Sequence, residues 1–139
     1  MDPSLQATYY RTALLLGLIR GEVVHEWAER VIANDPKPPS AFIDIISVPI
    51  DDLSEMRHAL WPLVIDPPPL EVLQAVLGSI RQELWSGRRQ LADALMILRQ
   101  MRSMLKLPPD LYADLNAALV AHASDPQAQS IAHWLQRFA

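Results

Sequence analysis

Apolar residues crowd together at Leu14, Leu15, Leu16, Leu18 and Ile19, and after Arg20-Gly21 they spread out to helical spacing. From Glu22 to Asn34, Val23, Val24, Trp27, Ala28, Val31 and Ile32 fall on one side of a helix. Glu22, Glu26 and Glu29 gather on the other side, within an arc of about 60° at roughly 100° per residue. A fully apolar segment followed by a half-buried one predicts a helical hairpin that seeds the core.

The same pattern continues along the chain. The first helix is expected from Ser4, as its cap, to about Arg20. The tract DPKPP at 35–39 stops the second, because proline cannot continue a helix. Residues 41–47 read as a short helix capped by Ser40; their β-branched FIDIIS would also suit a lone strand, but no partner strand exists. Asp52 and Glu55 stand in capping-box relation and open a helix to Leu60, which Trp61-Pro62 kinks or ends. After Pro67-Pro68-Pro69, the stripe Leu70, Leu73, Val76, Leu77, Ile80 and Leu84 predicts a helix ending at Ser86-Gly87. Arg88 to Leu105 predicts another, with Leu91, Ala94, Leu95, Leu98, Met101 and Leu105 inward. Pro108-Pro109-Asp110 starts one through Tyr112, Leu115, Leu119 and His122. Ser124-Asp125-Pro126 caps the last, along which Ala128, Ile131, Leu135 and Phe138 align. The expectation is an all-α single domain over 1–139, a bundle or short stack of helical hairpins with about eight helices. The proline clusters at 38–39, 67–69 and 108–109 are unevenly spaced, so the sequence alone demonstrates no repeat.

Composition narrows the chemistry. Cysteine is absent from the 139 residues, which excludes disulfides, thiolate zinc sites and a cysteine nucleophile. The apolar run before Arg20 is too short to span a bilayer, and Asp2-Pro3 is not the basic start of a leader, so no membrane role and a cytoplasmic setting are expected. The net charge of −4 is uneven: residues 1–66 hold five Lys/Arg against ten Asp/Glu, and residues 67–139 hold seven against six. Two charged faces follow. One is the acidic stripe Glu22, Glu26, Glu29. The other is a basic stripe of Arg88, Arg99, Arg102 and Lys106, with Arg81 and Arg89 near in sequence. Basic side chains that simply cover the margins of an apolar stripe are the better account of the second.

His25-Glu26-Trp27-Ala28-Glu29 approaches a zinc-protease helix, but Glu29 stands where the second histidine is needed. A solvated acidic face is the simpler account. His25, His58, His122 and His133 are scattered over four helices, and no nucleophile elbow or phosphate-cradling glycine loop is present. No catalytic residue, metal or cofactor is assigned, and the balance leans away from an enzyme. Met96, Met101 and Met104 read as core filler. Trp61, in a joint rather than a stripe, is the aromatic most suited to an interface, although core packing is the better account of it. A homodimer through an apolar helical face is allowed.

The stretch LLLGLIRGEVVHEWAERVIAND, followed by PPSAFIDIIS, resembles the opening of small bacterial helical proteins that share the elements LGL, EVV, WA, PP and ID at this order. The likeness covers about residues 13–47, and some such proteins resemble immunity proteins that neutralise polymorphic toxins. The resemblance implies a binding protein and transfers no site residue. The expected function is therefore a bacterial protein-binding module, immunity-type or regulatory. Its candidate contacts are Glu22, Glu26, Glu29, Trp61, Arg88, Arg99, Arg102 and Lys106. A nucleic-acid accessory protein using the basic stripe is the alternative, and a metal-dependent enzyme a third.

Overall fold

Gly17 ends the first helix earlier than its apolar run suggests. Its φ of 74° is left-handed, and two bonds close a Schellman cap around it: Gly17 N–H to Leu14 C=O and Leu18 N–H to Ala13 C=O. The helix α1 therefore spans Pro3–Leu15 and stops short of Arg20. At its other end Asp2, not Ser4, is the cap. The Asp2 carboxylate accepts the Leu5 N–H at 2.9 Å, with Pro3 in the first turn where its missing N–H costs nothing.

A computed structural model describes residues 1–139 and is all-α, with no strand. The remaining helices are α2 (Gly21–Asn34), α3 (Ser40–Ser47), α4 (Leu53–Leu60), α5 (Leu70–Trp85), α6 (Leu91–Met104), α7 (Pro109–Ser124) and α8 (Ser130–Leu135). Short 3-10 turns follow α4 at Trp61–Leu63 and α8 at Gln136–Phe138, and a third lies at Pro126–Ala128. FIDIIS is thus helical, and Trp61-Pro62 prolongs α4 as a 3-10 turn rather than breaking it. No helix is long and apolar enough to cross a membrane.

The chain divides at the triple proline into two compact units, Met1–Asp66 and Pro67–Ala139. In the first, α1 packs on α4, and α3 on both α2 and α4. Ala7, Leu14, Val24, Trp27, Ala28, Phe42, Ile45, Met56 and Leu60 form its buried core. A chain of rings runs through that core from Tyr10 to Trp27 at 4.7 Å and on to Phe42 at 5.2 Å, joining three helices. In the second unit α5 packs on α6 and α8, and α7 on α6 and α8. Leu73, Leu77, Ile80, Leu98, Met101, Leu115, Ile131 and Leu135 are buried there.

The two units repeat the same plan at an offset of 70 residues. Gly17 and Gly87 both take a left-handed φ, at 74° and 77°. The residues capping the next helix, Arg20 and Gln90, are both extended, and α2 and α6 each run 14 residues. Pro38-Pro39 matches Pro108-Pro109, and the buried residues Val24, Trp27, Ala28 and Ile45 match Ala94, Ile97, Leu98 and Leu115. Each unit then closes with a short fourth helix and a 3-10 turn packed back on its first helix. The uneven proline spacing concealed this, because the 67–69 cluster opens the second unit ahead of its first helix and has no counterpart among the prolines within the first.

That closure is made differently in the two units at one shared position. In the first, buried Thr8 donates its hydroxyl to Ser4 C=O at 2.6 Å and accepts the Ile65 N–H at 2.8 Å, pinning the chain after the turn to α1. In the second, the matching residue is Gly78, where a Cβ would come within 2.9 Å of Phe138 C=O. A glycine here lets the closing turn approach without a side chain between.

Several expected inward residues lie outside. Leu70, Leu91 and Tyr112 are exposed, as are Val23, Met96 and Met104, so only Met101 of the three methionines fills core. They flank the buried stripes, and helices packed on two neighbours bury a narrower face than the full apolar pattern offers. The helix α8 begins at Ser130 after Gln129, a non-glycine residue with φ 55°, which leaves Ala128 in a separate turn.

Two consequences are measurable. A Cβ at Gly21 would fall on the Ile50 carbonyl, so Gly21→Ala should lower unfolding free energy by about 2–3 kcal/mol in urea titration. Thr8→Val keeps the volume but removes the bonds to Ser4 and Ile65, and should cost about 1–2 kcal/mol by the same measurement.

Candidate binding cleft

Ser54, Arg57, His58 and Trp61 stand at i, i+3, i+4 and i+7, which places them on one face of α4 and its 3-10 extension. The opposite face carries buried Met56 and Leu60. The helix is therefore apolar toward the core and, on its other side, a row of donors ending in an indole. Asp52 fixes its start by accepting the Glu55 N–H at 3.2 Å. Arg11 reaches this row from α1, where it follows buried Thr8 by one turn.

These side chains, with Glu55, line a cleft of about 330 Å³. The Arg11 guanidinium lies over the Trp61 ring at 4.8 Å from its centroid, a cation–π contact. Trp61 itself remains 48 % exposed, so the indole forms an open wall of the cleft rather than part of the core. The Nε of Arg11 is buried and meets no acceptor in the protein. Neither Arg11, Arg57 nor His58 forms an ion pair with a carboxylate. The unit holds twice as many acidic as basic residues, yet two of its five Lys/Arg side chains converge here.

The second unit provides an internal comparison. At an offset of 70, Arg11 becomes Arg81, which also has a buried, unpartnered Nε but lies over Trp85 of its own helix, 5.4 Å from the ring centroid. The fourth helices align on their buried pairs, Met56/Leu60 with Ile131/Leu135. His58 then matches His133, while Arg57 and Trp61 match Ala132 and Gln136. The repeat folds without Arg57 and without Trp61, so neither is required by its architecture.

The other anticipated contacts are placed as follows. Glu26 and Glu29 are exposed on α2, and Glu22 pairs with Arg20 at 3.2 Å. The basic stripe does not assemble on one helix. Arg88 lies in the turn after Gly87, before α6 begins at Leu91, and Lys106 lies beyond its end. Arg102 donates to Asn116 Oδ1 at 2.9 Å, and neighbouring Arg89 pairs with Glu83 at 2.6 Å. Arg99 alone of the stripe projects from α6 as an exposed side chain. His25 donates to Val48 C=O at 2.6 Å and so ties α2 to the joint after α3. No group of three or more His, Asp or Glu side chains is placed to share a metal ion.

Of the residues lining this cleft, sequence reasoning singled out Trp61 but not Arg11, Ser54, Arg57 or His58. The i, i+3, i+4, i+7 row on α4 was available as a signal. Arg11 was not, because only the docking of α4 on α1 brings it alongside.

Comparison with protein-family models, curated proteins and solved structures finds no match to this chain.

Because Trp61 is a wall and Trp27 a core ring, their truncations should separate. Trp61→Ala should cost no more than about 1 kcal/mol, the scale of an exposed cation–π contact. Trp27→Ala should cost about 3–5 kcal/mol in the same chemical denaturation.

Proposed function

We propose that the protein acts by binding another protein and that the cleft of the first unit receives an acidic segment of that partner. One observation carries this reading. Arg11 and Arg57 stand beside His58 and an exposed Trp61 with no carboxylate paired to any of them. Unpaired guanidinium groups at the mouth of a cleft are matched by carboxylates on a partner, and an exposed tryptophan supplies rigid apolar area beside them. An immunity-type or regulatory role in the bacterial cytoplasm fits a module of this kind, in keeping with the resemblance of residues 13–47.

Trp61 provides its own reporter. Trp27 and Trp134 are buried, so in a Trp85→Phe background Trp61 is the one exposed indole. Titration with a glutamate-rich peptide should change its fluorescence saturably, and a lysine-rich peptide should not. Arg57→Glu should abolish the response, given the local charge reversal. A response that survives this substitution sinks the assignment to the cleft. Saturable binding of the lysine peptide instead would move the contact to Glu22, Glu26 and Glu29.

A further inference from the structure

Resting on the reading that this cleft binds another protein, we infer that the anion it takes is a phosphate monoester carried on the partner, a phosphorylated side chain. The donors outnumber what a carboxylate can use. Two guanidinium forks, an imidazole and the Ser54 hydroxyl line the cleft, and Glu55 is the one acidic group among them. A carboxylate offers two oxygens and one charge. A phosphate monoester offers three terminal oxygens and a charge of about −1.5 to −2, which suits two arginines.

The space agrees. At about 330 Å³ the cleft is at the lower end of the range of roughly 300–1,000 Å³ for ligand pockets, enough for a phosphate and the side chain that bears it. Trp61 is open on this wall to cover the apolar part of that side chain.

The surrounding charge confines recognition to direct contact. The first unit has a net charge of −5 from its Lys/Arg and Asp/Glu residues, which repels anions in general. A cluster of unpaired cations set into such a unit attracts an anion only over a short range, where direct charge-assisted hydrogen bonds form. The second unit shows the alternative fate of the same plan. There Ala132 and Gln136 replace Arg57 and Trp61, and Arg137 beside the closing turn is paired with Asp114 at 3.2 Å. The repeat thus gives one unit in which two arginines from different helices meet at an indole, and one in which Arg81 lies over Trp85 of its own helix with no counterpart of Arg57.

The test uses the full chain and three degenerate peptide libraries that share every position but the central one. That position is a phosphorylated serine, threonine or tyrosine in the first, glutamate in the second and the unmodified hydroxyl residues in the third. Binding is read by fluorescence anisotropy at fixed ionic strength. The phosphorylated library should bind at least about tenfold tighter than the glutamate library, and inorganic phosphate should compete. Arg57→Gln should remove about tenfold or more of that affinity, while Arg30→Gln, at an exposed position of α2, should leave it unchanged. Arg11→Gln should act like Arg57→Gln; because Arg11 is partly buried, Arg57→Gln decides the matter if the Arg11 variant is unfolded by circular dichroism. Equal affinity for the phosphorylated and glutamate libraries would overturn the phosphate assignment and leave the acidic-partner reading standing. Binding of a nucleoside monophosphate with no binding of either library would overturn both. Phosphopeptide binding insensitive to Arg57→Gln would overturn the placement at this cleft.

Discussion

The first unit depends on the two hydrogen bonds of one buried hydroxyl. Thr8 is held to its own helix by donation to Ser4 and, as acceptor, holds the Ile65 N–H, 57 residues away in the sequence. Backbone polar groups that leave regular structure near a core must find partners, and the chain after the 3-10 turn finds its partner here. With that end pinned, Trp61 is set beside α1 and Arg11 can lie over it. The cleft is a by-product of closure. It exists because the fourth helix must return to the first.

Closure also explains why the same position changes residue type between the repeats without changing its task. At residue 8 a side chain bridges the gap with hydrogen bonds; at residue 78 the gap is removed and backbone meets backbone. A hydroxyl and a missing Cβ are opposite solutions to the approach of a turn to a helix. The glycines at 17 and 87 show the reverse behaviour, since a left-handed φ has few substitutes and the residue is kept. Sequence similarity between the units is therefore strongest where the backbone is unusual and weak where only contact is required.

This distinction sets what could be read from the sequence. Helix number, the stops at the proline clusters and the cores of α2, α5 and α6 were legible, because they follow from 3.6-residue periodicity and from residues that cannot continue a helix. The first cap was misplaced from Asp2 to Ser4, since either can cap and only geometry selects. The basic stripe was drawn on a wheel that continued through Arg88, whereas Gly87 had already turned the chain and α6 had not yet begun. The repeat was hidden for a related reason: it is carried by caps, joints and burial, while most of its side chains have changed. Arg11 was illegible as a site residue because nothing in α1 distinguishes it from any arginine on a helix margin.

The two units use one shared arginine in different ways. Both keep an arginine at the matching place on the first helix, and both bury its Nε without an acceptor, which indicates that the stem packs as part of the fold. They differ in the ring it meets. Arg81 turns to Trp85, four residues along its own helix, and the interaction is complete within α5. Arg11 crosses to Trp61, which comes from a different element and leaves half its surface open. A local pair stabilises a helix; a pair that spans two elements builds walls and encloses space. Adding Arg57 and Trp61 to the row already holding Ser54 and His58 turns a closure contact into a concave, cationic surface, while the second unit retains the contact alone.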